Sequence, residues 1–454
     1  MKTETFLDYD TILADHTQPV HFAIRFQAEA FTPSPSRLHP AAFCVVLDRS
    51  GSMAGAPLDH AKAAAALAVR HLRAEDHFAL VVFDDQARTV IPLQPATVRR
   101  KAGFLQAIAD IQDGGSTNLT AGWMLGREEL RTAPLGTPRR LLLLSDGQLN
   151  VGLVETSAVR QIVASGIEHD RVRTSCLGFG AHYHEDLLAE LARATGGQFY
   201  DADSPEKFPA IFASELEGLQ RISVQNLRLR LKAMDFCAGL TPLGDYPALT
   251  LPDGRIELAL GDLVAAEERI VCFGLHVLPL PCLEGQPVFS VEGEPLVQIE
   301  VLYDEITSEG IGSSTYLQTV SVQRTQDPGQ VRRNGEVIQW VALQKAGKAV
   351  AEATRQMDVR DAKAAQSTLD RALREVGGYG DGAGVTEAVR MLEDLRGRME
   401  GEALTARERK EARYLSANLR KMSSADLWTL ESPAPVFKKP RRTPAKSSGG
   451  ETKS

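Results

Sequence analysis

A chain of 454 residues is longer than one hydrophobic core usually organises, so two or three domains are expected. With 43% hydrophobic and 24% charged residues it has the composition of a soluble globular protein, and its net charge of −8 gives no reason to look for nucleic-acid binding through its body. Five scattered cysteines without a CxxC pair read as reduced, mostly buried thiols. With no basic-then-apolar leader and no run of the ~20 apolar residues a membrane helix needs, the expected compartment is the cytoplasm.

The first patterned segment is 20–30. Phe22, Ile24, Phe26 and Ala28 alternate with His21, Arg25, Gln27 and Glu29, which predicts a half-buried strand. A Pro/Ser-rich joint follows at 32–40. From 41 to 218 short apolar runs (43–47, 78–83, 141–144, 172–179) alternate with helical patterns. The clearest of these has Leu58, Ala61, Ala65, Ala68 and Leu72 on one face and Pro57 near its start. Further helices are predicted over 98–111, 121–130, 156–165 and 186–194. Strands apolar on both faces and alternating with helices imply a doubly wound, mostly parallel α/β sheet.

After 218 single-residue alternation returns, with Leu227, Leu229 and Leu231 interleaved with Arg228, Arg230 and Lys232. Strands are predicted at 248–251, 256–260, 270–277, 297–303 and 316–323, an antiparallel sandwich. The early strand has the same style. The expected organisation is therefore a discontinuous β-sandwich from 15–32 and 219–330, with an α/β domain over 41–218 inserted in it. Helical hairpins follow over 334–428, with one stripe through Val385, Ala388, Val389, Leu392, Leu395 and Met399 and another through Leu415, Leu419 and Met422. The segment 358–373 resembles one helix pair of a tetratricopeptide unit, without the repetition an array needs. The last stretch, 431–454, rich in Pro, Lys, Arg, Ser and Gly, is expected to be a disordered, solubilising basic tail. Its Lys438, Lys439, Arg441 and Arg442 leave contact with an anionic surface as the lesser reading.

The chemistry concentrates in Val45-Val46-Leu47-Asp48-Arg49-Ser50-Gly51-Ser52-Met53. An apolar strand delivers an acid and two hydroxyls onto a Gly-containing turn, where ligands of open α/β sheets sit. Two further oxygen-bearing loops occupy equivalent positions: Gly114-Gly115-Ser116-Thr117-Asn118, opening a helix, and Ser145-Asp146-Gly147-Gln148, ending a strand. Asp48, Ser50, Ser52, Thr117 and Asp146 together offer carboxylates and hydroxyls but no thiolate or imidazole. That donor set suits Mg²⁺, or Mn²⁺ and Ca²⁺, and is poor for zinc.

Asp48-x-Ser50-x-Ser52 with a later Thr117 and Asp146 resembles the metal-ion-dependent adhesion site of von Willebrand factor A domains. The resemblance implies Ser50, Ser52 and Thr117 as direct ligands, Asp48 and Asp146 as direct or water-bridged ones, and an Asp or Glu from a protein partner completing the shell. The threonine loop reads GGSTN where many relatives read GGTN, so Ser116 competes with Thr117. Asp59, Lys62 and Ala65, then Asp76 ahead of 78–84, are similar to bacterial members related to calcium-activated chloride channel regulators, a group that includes inter-alpha-trypsin inhibitor heavy chains. The function implied is metal-dependent protein binding by a non-enzymatic adaptor. An alternative is the non-catalytic subunit of an ATP-driven machine of the MoxR or chelatase type. No GxxxxGK[ST] loop occurs, so the ATPase would be a separate polypeptide.

Other readings of these residues are weaker. A phosphohydrolase with Asp48 as nucleophile would want an acid two residues on, where Ser50 stands. A serine hydrolase would want GxSxG, and Asp48 occupies the first glycine position. His60 and His71 read as solvated helix residues. His182 and His184 beside Glu185 and Asp186 read as a loop leading into a helix start. Trp123 and Trp340 read as core.

Overall fold

The computed structural model describes residues 1–399 except 31–39, 147–169, 180–182, 184, 203, 245, 247, 280–281, 284–285, 288–292, 308–309 and 360, together with Ala412. The helix expected over 156–165, His182 and His184, the stripe through Leu415, Leu419 and Met422, most of the 32–40 joint and the 431–454 tail lie outside the described residues.

The chain opens with three strands, β1 (Lys2–Leu7), β2 (Tyr9–Leu13) and β3 (Gln18–Gln27). The α/β domain follows: β4 (Ala42–Asp48), α1 (Ala56–His71), β5 (His77–Phe83), β6 (Ala87–Pro95), α2 (Val98–Ala109), α3 (Leu119–Arg131), β7 (Arg139–Ser145), β8 (Val172–Phe179), α4 (Glu185–Thr195), β9 (Phe199–Ala202) and α5 (Phe208–Gln220). Its sheet runs in the order β6-β5-β4-β7-β8-β9, parallel except for β5–β6. On β4, Phe43, Val45 and Leu47 pack with α1, α2 and α5, while Ala42, Cys44 and Val46 pack with α3 and α4. The unbroken apolar run is thus a strand covered on both faces, the doubly wound arrangement expected.

Beyond α5 come β10 (Ile222–Ala233), β11 (Cys237–Pro242), β12 (Ala248–Thr250), β13 (Ile256–Val264), β14 (Glu268–Val277), the short β15 (Cys282–Leu283) and β16 (Gln286–Pro287), β17 (Glu294–Thr307), β18 (Gly310–Thr325) and β19 (Arg332–Arg333). Two main sheets result, β1-β3-β14-β11 and β12-β13-β10-β17-β18-β2-β19, antiparallel apart from the β18–β2 pairing. Phe22, Ile24 and Phe273 of the first meet Leu229, Leu258 and Ile299 of the second in one core, so the sheets form a sandwich.

Helices α6 (Gly335–Asp358), α7 (Ala362–Gly377) and α8 (Ala383–Met399) close the described chain. Asn334 and Asp361 cap α6 and α7 through their side chains. Helix α6 covers the outer face of the first sandwich sheet, with α7 and α8 packed on α6, and Ala23, Ile270 and Cys272 join the core of Trp340, Val341 and Leu369. The expectation of a half-buried β3 therefore fails, because its second face lies under α6 and Ala23 is as buried as Phe22. Gln344 of α6 fixes the docking: its amide donates to Ile270 O at 2.7 Å and its carbonyl accepts from Cys272 N at 3.0 Å. Trp123 and Trp340 are buried, and Cys44, Cys176, Cys237 and Cys272 are free thiols.

The α/β domain meets the sandwich at the amino ends of its strands. Arg173, second residue of β8, pairs with Asp262 of β13. Arg171 and Asn226 both reach Asp304 of β17, at 2.8 and 2.6 Å. The carboxyl ends of β4 and β7 point away from that junction.

Candidate metal centre

Asp48 ends β4 and is wholly buried. Its Oδ1 accepts from the Ser50 backbone N–H at 2.8 Å, and its Oδ2 accepts from the Ser145 hydroxyl at 2.6 Å. Burial nevertheless dominates, raising its carboxyl to about 6, and the nearby Asp146 pushes in the same direction. Ser50 and Ser52 flank Gly51 on a short 3₁₀ turn, with their hydroxyls 3.2 Å apart. The Ser52 hydroxyl donates to Asp146 Oδ1 at 2.8 Å. Asp146 directly follows β7, and partial burial raises its carboxyl as well.

The third loop, 114–118, is tied through backbone to the first loop and to the end of β5. Gly51 N–H donates to Gly115 O at 2.9 Å, Gly114 N–H to Arg49 O at 2.6 Å, and Asn118 N–H to Asp84 O at 2.7 Å. Asn118 also caps α3, its side chain accepting from Ala121 N–H at 3.2 Å. Thr117 is buried and Ser116 exposed, which favours Thr117 as the hydroxyl turned inward. The five residues singled out in the sequence thus lie on three adjacent loops at one end of the sheet. Their side-chain contacts link Ser50 to Ser52 and Ser52 to Asp146.

Sequence reasoning missed an ion pair at this site. Arg49 Nη2 donates to Asp84 Oδ2 at 2.5 Å and Nη1 to Gln112 O at 3.3 Å. A Cβ on Gly114 would stand 2.1 Å from Asp84 Oδ2, so glycine there is what lets the loop lie against the pair. The only sequence signal was the spacing of a basic residue inside the Asp-x-Ser turn and an acid ending the next apolar run.

This donor set fits a hard divalent cation. Two carboxylates whose charge is disfavoured by burial converge with hydroxyls, and positive charge is what would relieve them. Among the described residues no three His, Cys, Asp or Glu side chains cluster as a metal site. His60 and His71 are tied to carbonyls of their own helix at 2.8 Å.

Residues 44–214 match the family model of the von Willebrand factor type A domain. A Synechocystis protein, sll0103, is 28% identical over 67% of this chain and 72% of its own length. Human inter-alpha-trypsin inhibitor heavy chain H4 is 27% identical over 39% of this chain, and the match spans only 19% of that protein. Among solved structures, a von Willebrand factor type A protein from Catenulispora acidiphila superimposes with TM-score 0.69 at 18% identity, covering 93% of this chain and 97% of that one. The ArnB paralog VWA2 from Sulfolobus acidocaldarius does so with TM-score 0.57 at 14% identity, covering 92% and 98%. Both share the fold over nearly the whole chain.

Proposed function

Because residues 44–214 of this chain are a von Willebrand factor type A domain, we propose that it is a divalent-metal-dependent protein-binding module, an adaptor or scaffold with no turnover of its own. The observation that carries the reading is the buried Asp48 carboxyl beside the linked Ser50 and Ser52 hydroxyls and the Asp146 carboxylate, at the carboxyl end of β4 and β7. Ser50, Ser52 and Thr117 would hold the cation directly, with Asp48 and Asp146 holding it directly or through water. Mg²⁺ bound there supplies a hard electrophilic centre with a coordination position left for an oxygen ligand.

The chain's own residues set up the rest. Ser145 and the Ser50 N–H orient the Asp48 carboxylate, so its lone pairs are aimed before anything binds. The Arg49–Asp84 pair anchors the loop that carries Thr117. With Asp48 and Asp146 acting through water, the direct protein ligands would be neutral hydroxyls and the cation would stay electron-poor, which favours capture of an Asp or Glu from a partner protein. Among the described residues, the ion pairs that join the sandwich to the α/β domain lie at the opposite end of the α/β sheet.

The test is a pull-down from native lysate with the immobilised chain, in Mg²⁺ and in EDTA, with Asp48→Ala alongside. A partner retained only with Mg²⁺ and an intact Asp48 supports the reading. A partner held equally well in EDTA and by Asp48→Ala overturns it and moves the binding surface elsewhere.

A further inference from the structure

Edge strands expose unpaired backbone N–H and C=O groups, and proteins blunt them with charge, proline, bulges or brevity. Most edges of this molecule follow that rule. β1 carries Lys2 and Glu4, and β6 carries Arg88 and Pro92 with two register shifts. β11 ends in Pro242, and β12, β9 and β19 are only 3, 4 and 2 residues long.

β18 breaks the rule. It is 16 residues long and pairs along its length with β17, but β2 covers its other side only at Gln323, Arg324 and Thr325. Among the described strands nothing pairs with that side over 310–322. The run 310–323, GIGSSTYLQTVSVQ, has no charged residue and no proline, in a chain where 24% of residues are charged. It is rich in Ser, Thr and Val, and its largest aromatic and aliphatic side chains reach solvent: Tyr316 is 43% and Leu317 64% exposed.

We propose that the free edge of β18 pairs antiparallel with β18 of a second copy, joining two sandwiches about a two-fold axis through a continuous sheet. Charge selects this occupant. In a two-fold antiparallel pair every residue meets a residue of the same segment, so a chain of net charge −8 can approach itself only along a stretch where no like charges face each other. The same stretch offers a charged partner no complementary group. The uncovered run 310–322 is centred on Tyr316, so pairing along all of it sets the two Tyr316 residues opposite one another at the axis. The β2 cap at 323–325 and the hairpin end at 310 fix the limits of the register.

The test is sedimentation velocity of the full chain from micromolar to near-millimolar concentration, with hydrogen exchange measured at both ends of that range. The expected result is a concentration-dependent dimer in which the 310–322 amides gain protection on concentration. Tyr316→Lys sets like charges across the axis and weakens dimerisation about tenfold or more, as does Leu317→Lys, while Tyr316→Phe retains it. Neither side chain is buried, so circular dichroism and melting temperature report unchanged folding in the lysine variants. A monomer throughout the range overturns the proposal, including one whose 310–322 amides are already protected, since the edge is then covered from within the chain. A dimer that ignores both lysine variants overturns it too, because its interface lies elsewhere.

Discussion

Asp48 has no exposed surface, and burial raises its carboxyl from 3.8 to about 6 despite two hydrogen bonds that oppose the shift. The sign of the consequence follows from linkage. Between about pH 4 and 6 the native carboxyl keeps a proton that the unfolded chain has lost, so stability from this group falls as pH rises through that window. The full penalty, reached above pH ~6, is about 3 kcal/mol. Cation binding must displace the same proton. In chelator, urea melts should therefore show Asp48→Asn gaining stability over the wild type at pH 7.5 but not at pH 4, and calorimetry should show Mg²⁺ affinity dropping below pH ~6. A flat wild-type profile would mean that Asp48 is not the group being relieved. The acid and its two serines were legible because they sit consecutively at the end of one apolar run. The Arg49–Asp84 pair was not, because its partners lie 35 residues apart and meet only when β4 and β5 are parallel neighbours. Burial likewise separated Thr117 from Ser116 in a way the letters of the loop did not.

Among the elements, α3 shows how helix packing supports the site. It begins just after Thr117 and lies on β4 and β5 through Gly122 and Gly126. A Cβ at Gly126 would stand 2.4 Å from Val46 Cγ2, and one at Gly122 2.6 Å from Phe83 Cδ1. Gly103, inside α2, faces open space. Gly103→Ala should raise stability by about 0.5–1 kcal/mol through the unfolded chain alone. Gly126→Ala makes the same entropic gain but overpacks the core, and should lower stability by about 1–3 kcal/mol. Urea denaturation of the two variants side by side measures both, and equal stabilisation would mean that α3 has room the packing denies it. Two glycines four apart in a predicted helix were a readable sign of close approach. Other elements left fainter signs. β6 is an antiparallel edge with two prolines, so its alternation is broken, and β1 is half-buried along most of its short length, with no face wholly inside. The second face of β3 was concealed because Ala23, small and neutral in the alternation, gives no hint that α6 will cover it.

Across the whole molecule, both passages between sandwich and α/β domain, before β4 and after α5, fall at the amino ends of the parallel strands, leaving the carboxyl ends to the metal centre. The period-two strand ahead of the α/β segment hinted at this arrangement, and the pairing of β3 with β14 over ten residues shows how the early strand reaches the later sheet. The junction itself carries polar chemistry that no local pattern announces. Arg173 is buried, holds Asp262 across the boundary, and donates to Thr195 O at 2.9 Å. Removing the acid would strand a guanidinium that burial already disfavours as a cation. Asp262→Ala should therefore cost about 3–5 kcal/mol, the usual penalty for breaking a buried pair from one side. Because the pair joins the two bodies, the loss should also split one unfolding transition into two, with near-UV signals from Trp123 in the α/β domain and Trp340 in the helices separating on a urea melt. Mg²⁺ affinity at the far end of the sheet should stay within about twofold, since sites that share no partners behave additively. An Asp262→Ala variant that loses Mg²⁺ affinity while still unfolding in one step would instead couple the junction to the metal centre through the length of β8 and its neighbours.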